Sequence, residues 1–281
     1  MSTVFSRPLE DIVRERKSVR TYSKQQIKEE TKEQLKSYLD SLYNPFSTKV
    51  SFIFLESRNI SDDLQLGTYG MIKGASNYIG ATVDDADFNL EAVGYEFEKL
   101  ILFAVTLGLG TCWLGGTFTR NEFVKAMKIR DNVIFPAISP IGYAEKKRLA
   151  ESLVRLVTKA DQRKSWDDLF YDGSFATPLT SIHAGEYAFA LEMTRLAPSA
   201  SNKQPWRIIK TDDSFHFYEF KLPGYSDKFS YDIQRIDMGI AACHFHLAAI
   251  EKKLKGEFKK METPAIETPN NTHYAFSWVL A

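Results

Sequence analysis

The chain has 281 residues, room for one large domain or for two of about 140 residues at common domain sizes. Its 36 Lys and Arg balance 36 Asp and Glu, so no global field recruits nucleic acid or an anionic membrane surface, and any anion site has to be local. With 44% hydrophobic and 26% charged residues the composition is that of a globular protein; its two cysteines, Cys112 and Cys243, make no disulfide framework and fit a reducing cytosol.

Charges run through residues 1–17, where a secretory signal needs an apolar stretch, so a cytoplasmic location is expected. Helical periodicity predicts helices over about 8–16, 26–43, 91–107 and 120–128, and β-rich runs predict strands over 50–55, 78–83 and 133–141. Asp84, Asp85 and Asp87 read as caps for the helix that begins near Leu90. Residues 100–119 carry no charge over a length that nominally spans a bilayer. That run nevertheless continues a face made by Val93, Phe97, Leu100, Ile101, Ala104, Val105 and Gly108, and it contains Gly110, Gly115 and Gly116. It reads as a buried helix leading into a glycine loop, not as a membrane span.

Further on, helices are predicted over 164–170, 184–196 and 235–254, and strands over 206–210, 215–220 and 274–280. Residues 145–159 and 257–272 read as connections, and the Lys-rich run 251–260 as the solvated end of a helix. Strands and helices do not alternate regularly, which favours an α+β sheet flanked by helices over a doubly wound one.

Internal similarity divides the chain. Arg16-Lys17-Ser18-Val19 recurs as Arg163-Lys164-Ser165-Trp166 after 147 residues, and an apolar helix that begins at Gly94 and closes at Gly110 recurs as one that begins at Gly239 and closes at Gly256, at a similar offset. Both closing glycines stand where a left-handed C-cap belongs. Two related halves follow, residues 1–150 and 151–281.

Three constellations can carry chemistry. Arg16, Ser18 and Arg20 place two guanidiniums and a hydroxyl on alternate residues, able to converge on a phosphate or carboxylate. Pro198-Ser199-Ala200-Ser201-Asn202-Lys203-Gln204-Pro205-Trp206 is a loop stiffened by prolines and rich in short donors and acceptors, suited to a flat polar heterocycle and equally to an ordinary turn. Gly108-Leu109-Gly110-Thr111-Cys112-Trp113-Leu114-Gly115-Gly116 lets backbone approach a ligand and exposes N–H donors, but it is neither a P-loop nor a dinucleotide fingerprint. Cys112 has no basic sequence neighbour and reads as a small buried apolar residue. His244 and His246 lie two apart on a helix and make a poor metal pair.

Together the three constellations resemble the nitroreductase family of flavin enzymes. The resemblance implies a nitroreductase-like α+β fold, a central mostly antiparallel sheet flanked by helices, in two fused related halves that mimic the family's dimer in one chain. It implies FMN as cofactor, NAD(P)H as hydride donor, and a nitroaromatic, quinone or similar flat acceptor; no nucleic acid or membrane partner is expected, and further association of the pseudo-dimer is left open. By resemblance Arg16 and Ser18, with Arg163 and Lys164, hold the FMN phosphate, and Arg20 faces the pyrimidine edge of the ring. Leu114, Gly115 and Gly116 lie along the ring, while Pro198, Ser199, Ala200, Asn202 and Gln204 approach from the other half. The family's late arginine has no match in place, and Arg163 substitutes for it out of order. Residues 41–47 form a degenerate copy of the Pro-Ser loop, and the second half lacks the Gly-rich Trp loop, so the motifs are complementary. No catalytic acid, base or nucleophile is assigned, because the flavin itself carries the hydride. Alternatives on the same scaffold are dehalogenation, dehydrogenation, flavin breakdown or a non-catalytic flavin-binding protein.

Overall fold

The computed structural model describes residues 5–60, 64–145 and 162–281. Two units divide the chain: a first unit, Arg14–Thr158, and a second, Met1–Val13 with Lys159–Ala281. The predicted connection 145–159 and the expected division at 150 lie, from residue 146 on, outside the described residues.

Helix α1 (Leu9–Glu15) opens the chain, and the division between units falls within it. The first unit continues with α2 (Glu29–Asp40), β1 (Val50–Glu56), β2 (Asn77–Val83), α3 (Asn89–Thr106), β3 (Gly110–Thr111), α4 (Arg120–Ala126) and β4 (Ile134–Gly142). Its sheet is antiparallel throughout, in the order β1-β2-β4-β3. β2 is buried at every position, and α3 is buried on almost all sides, which explains why its sequence is apolar beyond one stripe. Val93, Phe97, Leu100, Ile101 and Ala104 of α3 share a core with Ile79, Ala81 and Val83 of β2 and Ala137 and Ile141 of β4. The 100–119 run is thus a core helix and a loop, and no helix among the described residues is long and apolar enough to cross a membrane.

In the second unit stand β5 (Phe170–Asp172), α5 (Ser181–Ala184), α6 (Ala188–Leu196), β6 (Trp206–Lys210), β7 (Ser214–Phe220), α7 (Gln234–Glu251), β8 (Gly256–Lys259) and β9 (Thr272–Leu280). Their order in the sheet is β5-β6-β7-β9-β8, antiparallel except for the parallel pair β5–β6. Leu9 of α1 donates its backbone N–H to Glu251 at the end of α7, 2.8 Å away.

The two sheets repeat one design. Strands β1-β2-β4-β3 correspond in order and direction to β6-β7-β9-β8, with an 18-residue helix between the second and third strands in sequence, and β5 is an addition at one edge. Helices α3 and α7 are offset by 145 residues at both ends. Each ends in the same pattern: Leu109 N–H donates to Ala104 O at 3.0 Å, and Leu254 N–H to Ala249 O at 2.9 Å. The left-handed residue is Gly108 (φ 72°) in the first unit and Lys253 (φ 59°) in the second.

Several expectations are corrected. The caps are not Gly110 and Gly256: Gly110 lies in β3, where an added Cβ would stand 2.5 Å from Val19, and Gly256 opens β8 against Trp278. Residues 164–170 are not a helix. Ser165 Oγ donates to Asp168 Oδ2 and accepts from the Asp168 N–H in a turn, and Phe170 pairs with Ile208 in the sheet, so tertiary pairing overrides local periodicity. The Lys-rich run after Glu251 is a turn followed by β8, with Phe258 buried, and not a frayed helix end. The aspartates do not cap α3 directly; Asn89 at its start bonds Asp85 with its side-chain amide and the Leu90 N–H with its side-chain oxygen.

Candidate functional site

In the first unit the Arg16–Arg20 segment leaves α1 and runs extended. Ser18 bridges Thr111 of β3 in parallel, and Val19 N–H donates to Thr111 O at 2.8 Å. Val19 turns inward against Gly110, where only a glycine leaves room, so that Ser18 between the two arginines shares the alternate side. This register brings the basic segment to the Gly-rich loop. Burial pushes the Cys112 thiol up, and Arg20, Ser18 and Arg16 pull against that shift, which puts all four in one neighbourhood. Cys112 is 4% exposed and acts as the small buried residue expected.

Both arginines have buried Nε atoms without a hydrogen-bond partner among the described residues. Arg16 Nε stands 3.9 Å from Glu98, beyond hydrogen-bond reach; Glu98 is fully buried on α3 and accepts a 2.7 Å bond from Trp113 Nε1. The following loop is pinned at both ends: Leu114 and Ile138 exchange backbone bonds at 2.9 Å, and Thr119 N–H donates to Gly67 O while its hydroxyl accepts from Gly67 N–H. Between the pins Gly115 is half-buried and Gly116 exposed.

Arg120, which the motif reading missed, reaches back to the same glycine-rich loop. Its Nη2 donates to Gly115 O at 2.8 Å, its guanidinium lies 4.6 Å from the Phe118 ring centroid, and its Nη1 is buried without a partner among the described residues. The only signal in the sequence was an arginine shortly after a double glycine at a predicted helix start.

In the second unit the Pro198–Trp206 loop folds upon itself. Ser199 Oγ accepts from Gln204 N–H at 2.8 Å, and the Gln204 amide donates to Asn202 O and Oδ1 at 3.2 Å. Asn202 Oδ1 accepts from Arg163 Nη1 at 3.1 Å, and Gln204 Oε1 from Lys164 N–H at 2.8 Å. The loop gathers Arg163, Lys164, Asn202 and Gln204 and gives the polar ends of Asn202 and Gln204 partners within the unit. Ser201, Asn202 and Gln204 all sit at positive φ, between 48° and 56°, strain that this network maintains. Burial pushes the Lys164 ammonium down, with Arg207 and Lys203 reinforcing the shift and the Asp168 carboxylate opposing it. Ala200 N–H donates to Asp237 Oδ1 at 2.9 Å from the start of α7. Of the histidines, His244 bonds Met193 O and His246 packs at a tilt against the Trp278 ring, both structural places.

The described residues thus form two α+β repeats, and in the first of them the guanidinium groups of Arg16 and Arg20 lie beside Cys112 of the glycine-rich loop. A family described as "Putative TM nitroreductase" matches residues 9–249, and the chain belongs to that nitroreductase family, a family of oxidoreductases. A putative nitroreductase of Thermotoga maritima shares the fold, at 20% identity and TM-score 0.61, covering 100% of this chain and 97% of its own. A nitroreductase family protein of Clostridium novyi aligns at 22% identity and TM-score 0.40 over 52% of this chain and 92% of its own. An FMN-dependent nitroreductase of Clostridium difficile aligns at 18% and 0.39 over 49% and 88%. No curated protein matches the chain.

Proposed function

We propose that the protein is an FMN-dependent oxidoreductase that moves hydride from NAD(P)H to a nitroaromatic, quinone or similar flat acceptor. The observation that carries this reading is the pair of buried guanidinium nitrogens, Arg16 Nε and Arg20 Nε, that have no hydrogen-bond partner among the described residues and lie beside Cys112 of the glycine-rich loop. Buried donors without partners cost free energy, and a phosphate or an electron-rich ring edge removes that cost. The chemistry of the donor set fits FMN: cations and a hydroxyl for the phosphate, and a glycine backbone for close approach of a planar ring.

Bound FMN supplies the hydride-accepting ring. Arg16 and Ser18 hold the phosphate, and Arg20 places positive charge at the pyrimidine edge, favouring the anionic reduced ring. Leu114, Gly115 and Gly116 lie along the ring. In the second unit Arg163, Lys164, Pro198, Ser199, Ala200, Asn202 and Gln204 are proposed as FMN-contacting positions, with Asn202 and Gln204 also holding Arg163 and Lys164 in place.

The test is the visible spectrum of the purified protein, followed by FMN titration and NAD(P)H oxidation with a quinone acceptor. A yellow protein that turns over is expected; one that stays colourless with added FMN overturns the reading. Arg16→Ala is expected to weaken FMN binding about 10- to 100-fold, the loss of one charge-assisted contact. Riboflavin, lacking the phosphate, should bind both forms alike. Equal FMN affinity in the variant counts against the role of Arg16.

A further inference from the structure

We infer that Arg120 is a positioning residue for the flavin ring, acting through the peptide between Gly115 and Gly116. The inference rests on the flavin reading above and adds a residue to it. Arg120 Nη2 donates to the Gly115 carbonyl oxygen at 2.8 Å. The described chain contains no cis peptide, and in a trans peptide the carbonyl and the following N–H point in opposite directions. Holding the Gly115 carbonyl toward Arg120 therefore turns the Gly116 N–H away from it. Among the described residues that N–H has no hydrogen-bond acceptor, and Gly116 is exposed, so a ready donor faces outward from the loop.

A glycine pair has wide conformational freedom, and without restraint this peptide could rotate. The surrounding geometry concentrates the restraint on Arg120. Leu114 is fixed to Ile138 on one side and Thr119 to Gly67 on the other, which leaves Gly115, Gly116 and Thr117, ahead of the buried Phe118, as the arc without such a tie. Arg120 closes that arc. Its guanidinium is itself steadied over Phe118, which is 4% exposed, and more distantly over Phe135. A ring nitrogen or oxygen that gains electron density on reduction accepts more strongly from a fixed N–H than the oxidised ring does. Arg120 thus favours the reduced flavin without touching it.

The test uses Arg120→Met in the full chain, with isotope-labelled glycine to follow the Gly116 amide. In the wild type, adding FMN is expected to slow hydrogen exchange of that amide at least tenfold. In Arg120→Met, FMN still binds, but the Gly116 protection is lost and the preference for reduced over oxidised FMN falls about tenfold, roughly 30 mV for a two-electron couple. The Cys112 amide, which donates to Ser139 Oγ, should keep its protection in both and reports general loosening. Should the methionine variant not fold, Arg120→Gln, too short to reach Gly115, replaces it with the same expectations. Unaltered Gly116 protection and unaltered reduced-state preference in the variant that folds overturn the proposal. A wild type that binds no FMN overturns the flavin reading instead.

Discussion

Asp237 shows how much one side chain adds to a loop. Burial raises its carboxyl to about 8, Ala200 N–H pulls the other way, and Asp232 nearby adds to the rise. Its Oδ2 is buried without a partner among the described residues. In the unfolded chain the same carboxyl ionises near 3.8. Between about pH 4 and 8 the folded state thus keeps a proton that the unfolded state has released, and stability falls as pH rises through that window. Asp237→Asn removes this dependence. Urea denaturation at pH 5 and pH 8 should show a smaller pH difference for the variant, by on the order of 1 kcal/mol or more; the same difference in both proteins would contradict it. Glu96, raised to about 7 by burial and bonded by Asn44, adds a slope of the same sign and is left unchanged in the variant. Neither carboxyl was legible in the sequence, because an acid on a helix looks solvated until the packing around it is known. Arg16, Ser18 and Arg20 were legible, since alternation along an extended segment is local geometry.

Among elements, the pair α3 and α7 carries the clearest trace of duplication. Their C-termini bond alike, yet one places glycine and the other Lys253 at the left-handed position. A side chain there is strained, so Lys253→Gly is expected to stabilise the protein by about 0.5–1 kcal/mol in thermal or urea unfolding. Loss of stability would mean that the lysine side chain contributes packing that outweighs its backbone cost. At β3 the argument reverses. Gly110→Ala drives a Cβ into Val19, whose branched side chain has little freedom to move, and should cost about 1–3 kcal/mol. Adding Val19→Ala should recover part of that loss; no recovery would place the strain elsewhere. Long elements such as α3, β2 and β7 were readable from periodicity and β-rich composition. Short strands β5 and β8 were not, because three or four residues carry no period and their existence depends on β6 and β9 as partners.

At the scale of the molecule, the first 13 residues are counted with the second unit, and Leu9, Ile12 and Val13 are buried. Burial of three such side chains is worth about 1.5–3 kcal/mol each. Removing residues 1–13 should therefore lower hydrogen-exchange protection in α7, where Glu251 accepts from Leu9 N–H, and leave β1 to β4 protected. An undisturbed α7 would contradict that assignment.

By itself, the amino-acid order determined the duplicated α+β design, the long helices and strands, and the segments rich in arginine, glycine and Pro-Ser. Those features are written in spacing and side-chain type along a few turns or strands. Only the tertiary structure decided that Val19 and Gly110 set the register of the arginine segment, that Arg120 reaches back to Gly115, and that Asn202 and Gln204 clasp Arg163 and Lys164. Each of these depends on which distant atoms share a buried space, where desolvation and directional hydrogen bonding select one arrangement.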